Sequence, residues 1–345
     1  MRDMAPFSRF GKCGAAAVSV VALLVITAAP AAADPARPTN YESIITGVTP
    51  AVAGLEAKVV GSDAFMSVSV HGAGEVIVLG YENEPYLRFG ANDVVEENLQ
   101  SPAVALNQSR YGGTVDSNAD PNATPSWKVV SINGQYVWHD HRIHWMLQSL
   151  PPQLAGKSTG KVEDWTIPLL VNGQSAHING ALYRRAPPSV LPYLGAGIIA
   201  AVVAALAMRR ARFAAAALLA SASVLAFAVS LADQLSIPAA AGRRMSFYVI
   251  PALAALCALV ALVRPRSIYA FVLKVACALI VPLWVFLNAK TLTTARLPGD
   301  VTPPVVRIVV VLASAMVVAF VATDLPRELR AAAARNAALR EGDES

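Results

Sequence analysis

Along residues 55–71 apolar and polar side chains alternate. In "GLEAKVV", Leu55, Ala57 and Val59 fall on one side, with Glu56 and Lys58 on the other. In "AFMSVSVH", Met66, Val68 and Val70 share a face opposite Ser67, Ser69 and His71. A period of two is that of half-buried strands. "GAG" at 72–74 turns the chain into "EVIVLGY". Asn133-Gly134 separates "SWKVVSI" from "QYVWHDH", and Asn172-Gly173 separates "DWTIPLLV" from "QSAHINGALYRR". Asn-Gly between apolar runs predicts hairpins. About seven or eight such strands imply an all-β sandwich, immunoglobulin-like or cupredoxin-like. The stretch from Glu97 to Pro125, rich in Asn, Ser, Pro and Gly, predicts a long loop.

Past Pro187 and Pro188 the alternation gives way to five apolar runs, 191–208, 213–232, 246–263, 268–288 and 305–323. Each is close to the roughly 20 residues that an α-helix needs to cross a hydrocarbon core. The N-terminus has a basic head (Arg2, Arg9, Lys12), an apolar run "GAAAVSVVALLVITAA" and a small-residue site "AAAD". That is the pattern of a secretory signal cleaved after Ala33; the alternative is an uncleaved anchor. The expected organisation is a signal peptide over 1–33, an extracytoplasmic β-sandwich over 34–186, an all-α five-helix transmembrane domain over 187–325 and a cytoplasmic tail over 326–345.

Composition agrees. The chain of 345 residues is 55% hydrophobic, with mean hydropathy +0.48, beyond the range of an ordinary soluble domain. Its net charge of +5 and pI near 9.2 point to cytoplasmic Arg and Lys. No basic patch is interleaved with aromatics, so nucleic acid is not an expected partner. "RRAR" at 209–212, "RPR" at 264–266 and the tail with its four arginines predict the cytoplasmic side of a bacterial membrane, leaving 34–190 outside. Arg243 and Arg244 run against that rule. Lys274 and Arg307 lie near span ends, where both are expected to snorkel to the headgroups. The Ala-rich runs "AAVVAALA" and "FAAAALLASAS" allow close helix packing, within the chain or in a homo-oligomer. Of the three cysteines, Cys13 lies in the signal, and Cys257 and Cys277 lie in apolar runs, so the exported part has no disulfide.

Candidate chemistry concentrates in "VWHDHRIHWM", residues 137–146. All five histidines (His71, His139, His141, His144, His177) precede the spans. On a strand, His139 and His141 would share a face and His144 would turn to the other. Two imidazoles on one face, with a third from His71 or His177 and a thioether from Met66 or Met146, would suit copper. The alternative is a polar network in which Asp140 accepts from a histidine and Arg142 pairs with Glu82 or Glu84. A pH sensor is a third reading. In "GYENEPYLRF", residues 80–89, Glu84 and Arg88 belong either to a partner loop for an envelope protein, to an outer layer around the histidines, or to an ordinary ion pair between Arg88 and Glu82 or Glu84. No Gly-x-Ser-x-Gly elbow, phosphate-cradling loop or His-Glu-x-x-His helix is present, so no enzyme class is indicated.

His139-Asp140-His141 within such a strand pattern resembles the small copper-binding β-domains of bacterial envelopes, the CopC-type proteins. It also resembles the His-x-His strand of the cupredoxin domain in particulate methane and ammonia monooxygenases. The resemblance implies copper binding. CopD-type permeases, often partnered with CopC-type domains, carry histidines in the membrane, and this membrane part has none. As a whole the chain resembles actinobacterial membrane proteins with a signal peptide, an exported β-rich domain and C-terminal helices, a resemblance that carries no mechanism with it. The function expected is binding or handling of copper outside the membrane. The alternative is a structural or partner-binding ectodomain of a membrane complex without metal, its histidines forming a buried network.

Overall fold

A computed structural model describes residues 34–343, apart from Gln148, Arg212 and residues 264–266. The expected signal peptide and the "RPR" loop therefore lie outside the described residues. An antiparallel β region of ten strands comes first, followed by helices of which five are long and apolar enough to cross a membrane.

The strands are β1 (Tyr41–Thr49), β2 (Leu55–Val60), β3 (Phe65–Val70), β4 (Val76–Leu79), β5 (Pro85–Phe89), β6 (Val95–Asn98), β7 (Trp127–Ser131), β8 (Gln135–Trp138), β9 (Gly160–Val171) and β10 (Gln174–Arg184). They form a seven-stranded sheet, β1-β10-β9-β4-β5-β6-β7, and a three-stranded sheet, β2-β3-β8. The two sheets bury one core between them. Met66, Val68 and Val70 of β3 meet Val76, Val78, Leu87, Ile167, Leu169 and Ile178 of the larger sheet. These are the alternate positions that the period of two assigns to the inside. The other face of β3 is covered as well. Phe65 joins Ala36, Ala64 and Val137 in a cluster with Ile237 and Ala241 from the helical part.

Asn172 and Gly173, both at positive φ (49° and 78°), close the hairpin of β9 and β10 as predicted. Asn133-Gly134 does not close a hairpin, because β7 and β8 belong to different sheets. The reason lies at Gly134, whose N–H donates to the Asp93 carbonyl (2.7 Å) and whose carbonyl accepts from Val70 N (2.9 Å). A Cβ there would stand 2.7 Å from the His71 ring, so only glycine lets the chain cross between the sheets at this point. The long loop after Asn98 contains one short helix, α1 (Ala103–Leu106).

The long helices are α2 (Leu191–Arg210), α3 (Ala214–Ser236), α4 (Ser246–Val263), α5 (Ile268–Leu287) and α6 (Pro303–Asp343). Small residues line their contacts, among them Ala215, Ala220, Ala254, Ala258, Ala313 and Ala319. They let the helix backbones approach closely where no hydrophobic force separates helix from lipid. The helix that carries the last apolar run continues beyond it: α6 runs through Pro326 and takes in most of the predicted tail. The expected snorkelling of Lys274 and Arg307 is corrected. Neither snorkels. Lys274, 2% exposed, binds Asp324 (2.6 Å) and Glu328 (3.1 Å) inside the bundle. Arg307 is buried and donates to the carbonyls of Thr291 (2.9 Å) and Thr294 (2.8 Å).

The β-domain is bonded directly to the bundle. Thr39 and Arg296 exchange both backbone hydrogen bonds (3.1 and 2.9 Å). Asn40 Oδ1 accepts from Ala295 N (2.8 Å), Ser62 donates to the Leu297 carbonyl (3.0 Å), and Arg244 donates to the Pro35 carbonyl (3.2 Å). Glu42 takes both Arg296 (2.7 Å) and Arg185 (2.5 Å). Residues 34–39 thus act as a strap between the two parts.

Candidate functional site

The histidine segment sits at this junction. β8 ends at Trp138, where its pairing with β3 stops at Met66. The chain then bends into a 3-10 turn, His141–Ile143, so the strand face expected to carry both His139 and His141 does not exist. Asp140 makes the bend. Its carboxylate accepts from Arg142 N (3.0 Å), capping the turn, and from Trp138 Nε1 (2.9 Å). Arg142 closes the group bidentately, Nε to Oδ1 at 2.8 Å and Nη2 to Oδ2 at 2.7 Å. Four donors on one fully buried carboxylate leave it no free acceptor direction of consequence. Burial pushes the Asp140 carboxyl up, but the charge and hydrogen bonds of Arg142 prevail and hold it below the usual carboxylate range.

Two expected pairings are therefore corrected. Asp140 accepts from tryptophan and arginine, not from histidine, and Arg142 pairs with Asp140, not with Glu82 or Glu84. Arg142 needs a partner next to it because it is itself largely buried, stacked over Tyr81 at 4.9 Å. Arg88 pairs with Glu96 across β5 and β6 (2.6 Å) and lies over Trp127. Glu84 is buried and turned inward, accepting from Ser101 Oγ (2.5 Å) and Glu82 N (2.9 Å).

His139 stacks on Phe65. Its Nδ1 lies 2.7 Å from the Ala64 carbonyl and its Nε2 3.0 Å from the Asp34 carbonyl, at the start of the strap. Burial lowers its pKa, while hydrogen bonds to the two carbonyls work against that fall. His141 Nε2 faces the Ser109 carbonyl (3.2 Å), and its backbone N–H donates to Tyr81 Oη (2.9 Å). His144 Nε2 faces the Arg110 carbonyl (2.9 Å) and Met146 Sδ (3.0 Å), while its Nδ1 is buried without a partner. Burial, reinforced by the charge of Arg110, lowers the His144 pKa to about 3. The rings of His141 and His144 meet edge to face at 5.3 Å.

The remaining two histidines are elsewhere. His71 lies past the far end of β3, exposed and bonded to Asp93 (3.0 Å). His177 lies in β10, paired with Thr49 and Pro168 in the larger sheet. Among the described residues no three His, Cys, Asp or Glu side chains converge as metal ligands. Against copper, then, the fit is partial. His139 and Asp140 have their polar atoms engaged by the protein, whereas His144 Nδ1 is buried without a partner.

Two residues important to this region, Arg110 and Asp63, give no local signal. Arg110 and Asp63 form a bidentate pair (3.1 and 2.6 Å) across 47 residues of sequence. Asp63 is fully buried, and desolvation raises its pKa even with Arg110 beside it. Asp324 did have a signal: with Glu328 it makes an i,i+4 acidic face opposite the height of Lys274. No family model, curated protein or solved structure matches the chain.

Proposed function

We propose that this is a multi-pass protein of a bacterial cytoplasmic membrane, with its β-domain outside, and that the domain is a metal-free structural ectodomain of a membrane complex. His139 ties the domain to the strap on its own membrane base, while His141 and His144 pin the long loop. Envelope proteins or further copies of the chain complete the complex through other surfaces. One observation carries the reading: both ring nitrogens of His139 face carbonyls, so whichever nitrogen bears the proton donates within the protein, and one of the two carbonyls is on the strap that joins β-domain to bundle. The orientation is supported by Arg209 and Arg210 at the end of α2 far from the β-domain. Three of the cations that run against the rule are consumed internally, Arg243 by the Ile237 carbonyl, Arg244 by the Pro35 carbonyl and Arg296 by Glu42.

The test is elemental analysis of the full chain purified in detergent after growth with copper. Copper well below one equivalent is expected. Stoichiometric copper that His141→Ala or His144→Ala removes would sink this reading. Reporter fusions at residues 100 and 345 test the orientation; an exported reporter at 345 counts against it.

The second reading is copper(I) held by His141, His144 and Met146. The 3.0 Å approach of His144 Nε2 to Met146 Sδ favours it, because imidazole and thioether both suit that ion. Binding there requires His144 to release the Arg110 carbonyl, and Met146→Leu would abolish it.

A further inference from the structure

Beside the strap, at the level where the helices begin, the β-domain and the bundle enclose a cavity of about 380 Å³. Its walls include Arg37 from the strap, Arg110 and Tyr111 from the long loop, Trp145 and Leu147 after the histidine turn, and Lys290 from the turn following α5. The charges do not balance. Asp34 is the carboxylate on the wall and is bonded to Arg37 (3.0 Å). Arg110 is matched by Asp63 behind it. Lys290 is exposed and has no polar partner for its ammonium among the described residues. Arg244, bonded to the strap at Pro35, is depressed in pKa by burial and then by the charge of Arg37, so cations crowd this end of the strap.

The rim is apolar and open: Tyr111 is 68% and Leu147 62% exposed. Lys290 follows the end of α5 at Leu287 by three residues, the position at which a spanning helix would meet the headgroups. An excess cation beside aromatic and aliphatic side chains at that depth suits an anion with an apolar body. Among the described residues the histidine on the wall is His139, whose nitrogens both face carbonyls of the protein.

We propose that the cavity binds a phosphate group, with Lys290 and Arg37 as its cations, and that the phosphate is carried by an anionic phospholipid whose chains lie over Tyr111, Trp145 and Leu147. This holds whether or not the histidines take a metal.

The test is calorimetric titration of the full chain in non-ionic detergent with three additives: short-chain phosphatidylglycerol, short-chain phosphatidylcholine and inorganic phosphate. Phosphatidylglycerol should bind tightest, and Lys290→Gln should weaken it about fivefold, the effect of one basic side chain near an anionic surface. Lys290→Glu should weaken it further, and added salt should do the same in the wild type. Lys58→Gln, on β2 and away from the cavity, should change nothing. Phosphate binding as tightly as the lipid, with the same dependence on Lys290, would keep the anion and remove the lipid as its carrier. Equal binding of the two lipids, or no effect of Lys290→Glu, overturns the proposal.

Discussion

Phe65 and His139 stack with their ring centroids 4.0 Å apart and their planes 26° from parallel. Phe65 belongs to the cluster that joins β-domain and bundle, and His139 reaches the strap, so one ring pair fastens both routes between the two parts. Phe65→Ala should cost about 3–5 kcal/mol, as for other fully buried aromatics. His139→Ala should cost about 1–3 kcal/mol, because it removes a buried ring hydrogen bond together with the stack on Phe65. Denaturation of the purified full chain measures both. Proteolysis within the strap should accelerate in each variant, and an unchanged cleavage rate would argue against the clamp.

The buried pair of Asp140 and Arg142 should be intolerant of single changes. Arg142→Ala leaves an uncompensated buried carboxylate and should cost about 3–5 kcal/mol. Arg142→Lys keeps the charge but loses the fork, so it should recover only part of that loss in the same denaturation assay.

Acid should destabilise the β-domain well before its carboxylates titrate. The folded pKa of His144, about 3, lies below the unfolded value of 6.5. The unfolded chain therefore takes up the proton first, and the stability contributed by neutral His144 is complete above the unfolded value and lost as pH falls from there toward 3. His139 is shifted in the same direction. Asp63, raised by burial, acts in the opposite sense across the carboxylate range. Between pH 7 and 5 the His144 contribution amounts to about 2 kcal/mol. Denaturation midpoints against pH should slope downward toward acid in wild type and less steeply in His144→Asn. Parallel slopes would remove His144 as the cause.

Inside the bundle, Lys274→Gln should destabilise, since it leaves the fully buried Asp324 with the half-exposed Arg327 as its remaining ionic partner among the described residues. The double variant Lys274→Met with Asp324→Leu should recover most of the loss. Thermal unfolding in detergent compares the three proteins. A harmless single variant would return Lys274 to the snorkelling role that its position in sequence suggests.

The parts of this structure that were legible in sequence are those with a period. Alternation placed Met66, Val68 and Val70 inside because a strand turns every second side chain to the core. The spans stood out because a hydrocarbon core tolerates little but apolar residues over a helix's whole length. The histidine region had no such protection. Trp138, His139, Asp140 and His141 continue a strand-like pattern, and only the capping bond from Asp140 to Arg142 N breaks it. At Asn133-Gly134 a strong local hairpin signal yielded to bonds with Asp93 and Val70, partners distant in sequence. The strap, and the pairing of Arg110 with Asp63, likewise depend on contacts that no spacing reports.

The paired backbone bonds between Thr39 and Arg296 have a consequence for how the protein meets its bilayer. Domains joined by a loose linker reorient independently. Here the turn that carries Arg296 is also gripped by Arg307 at the start of α6. These bonds couple the tilt of the bundle to the attitude of the β-domain. Membrane helices answer a change in hydrocarbon thickness by tilting. A thinner or thicker bilayer would therefore swing the β-domain relative to the membrane plane, turning a property of the lipid into a direction in space outside it.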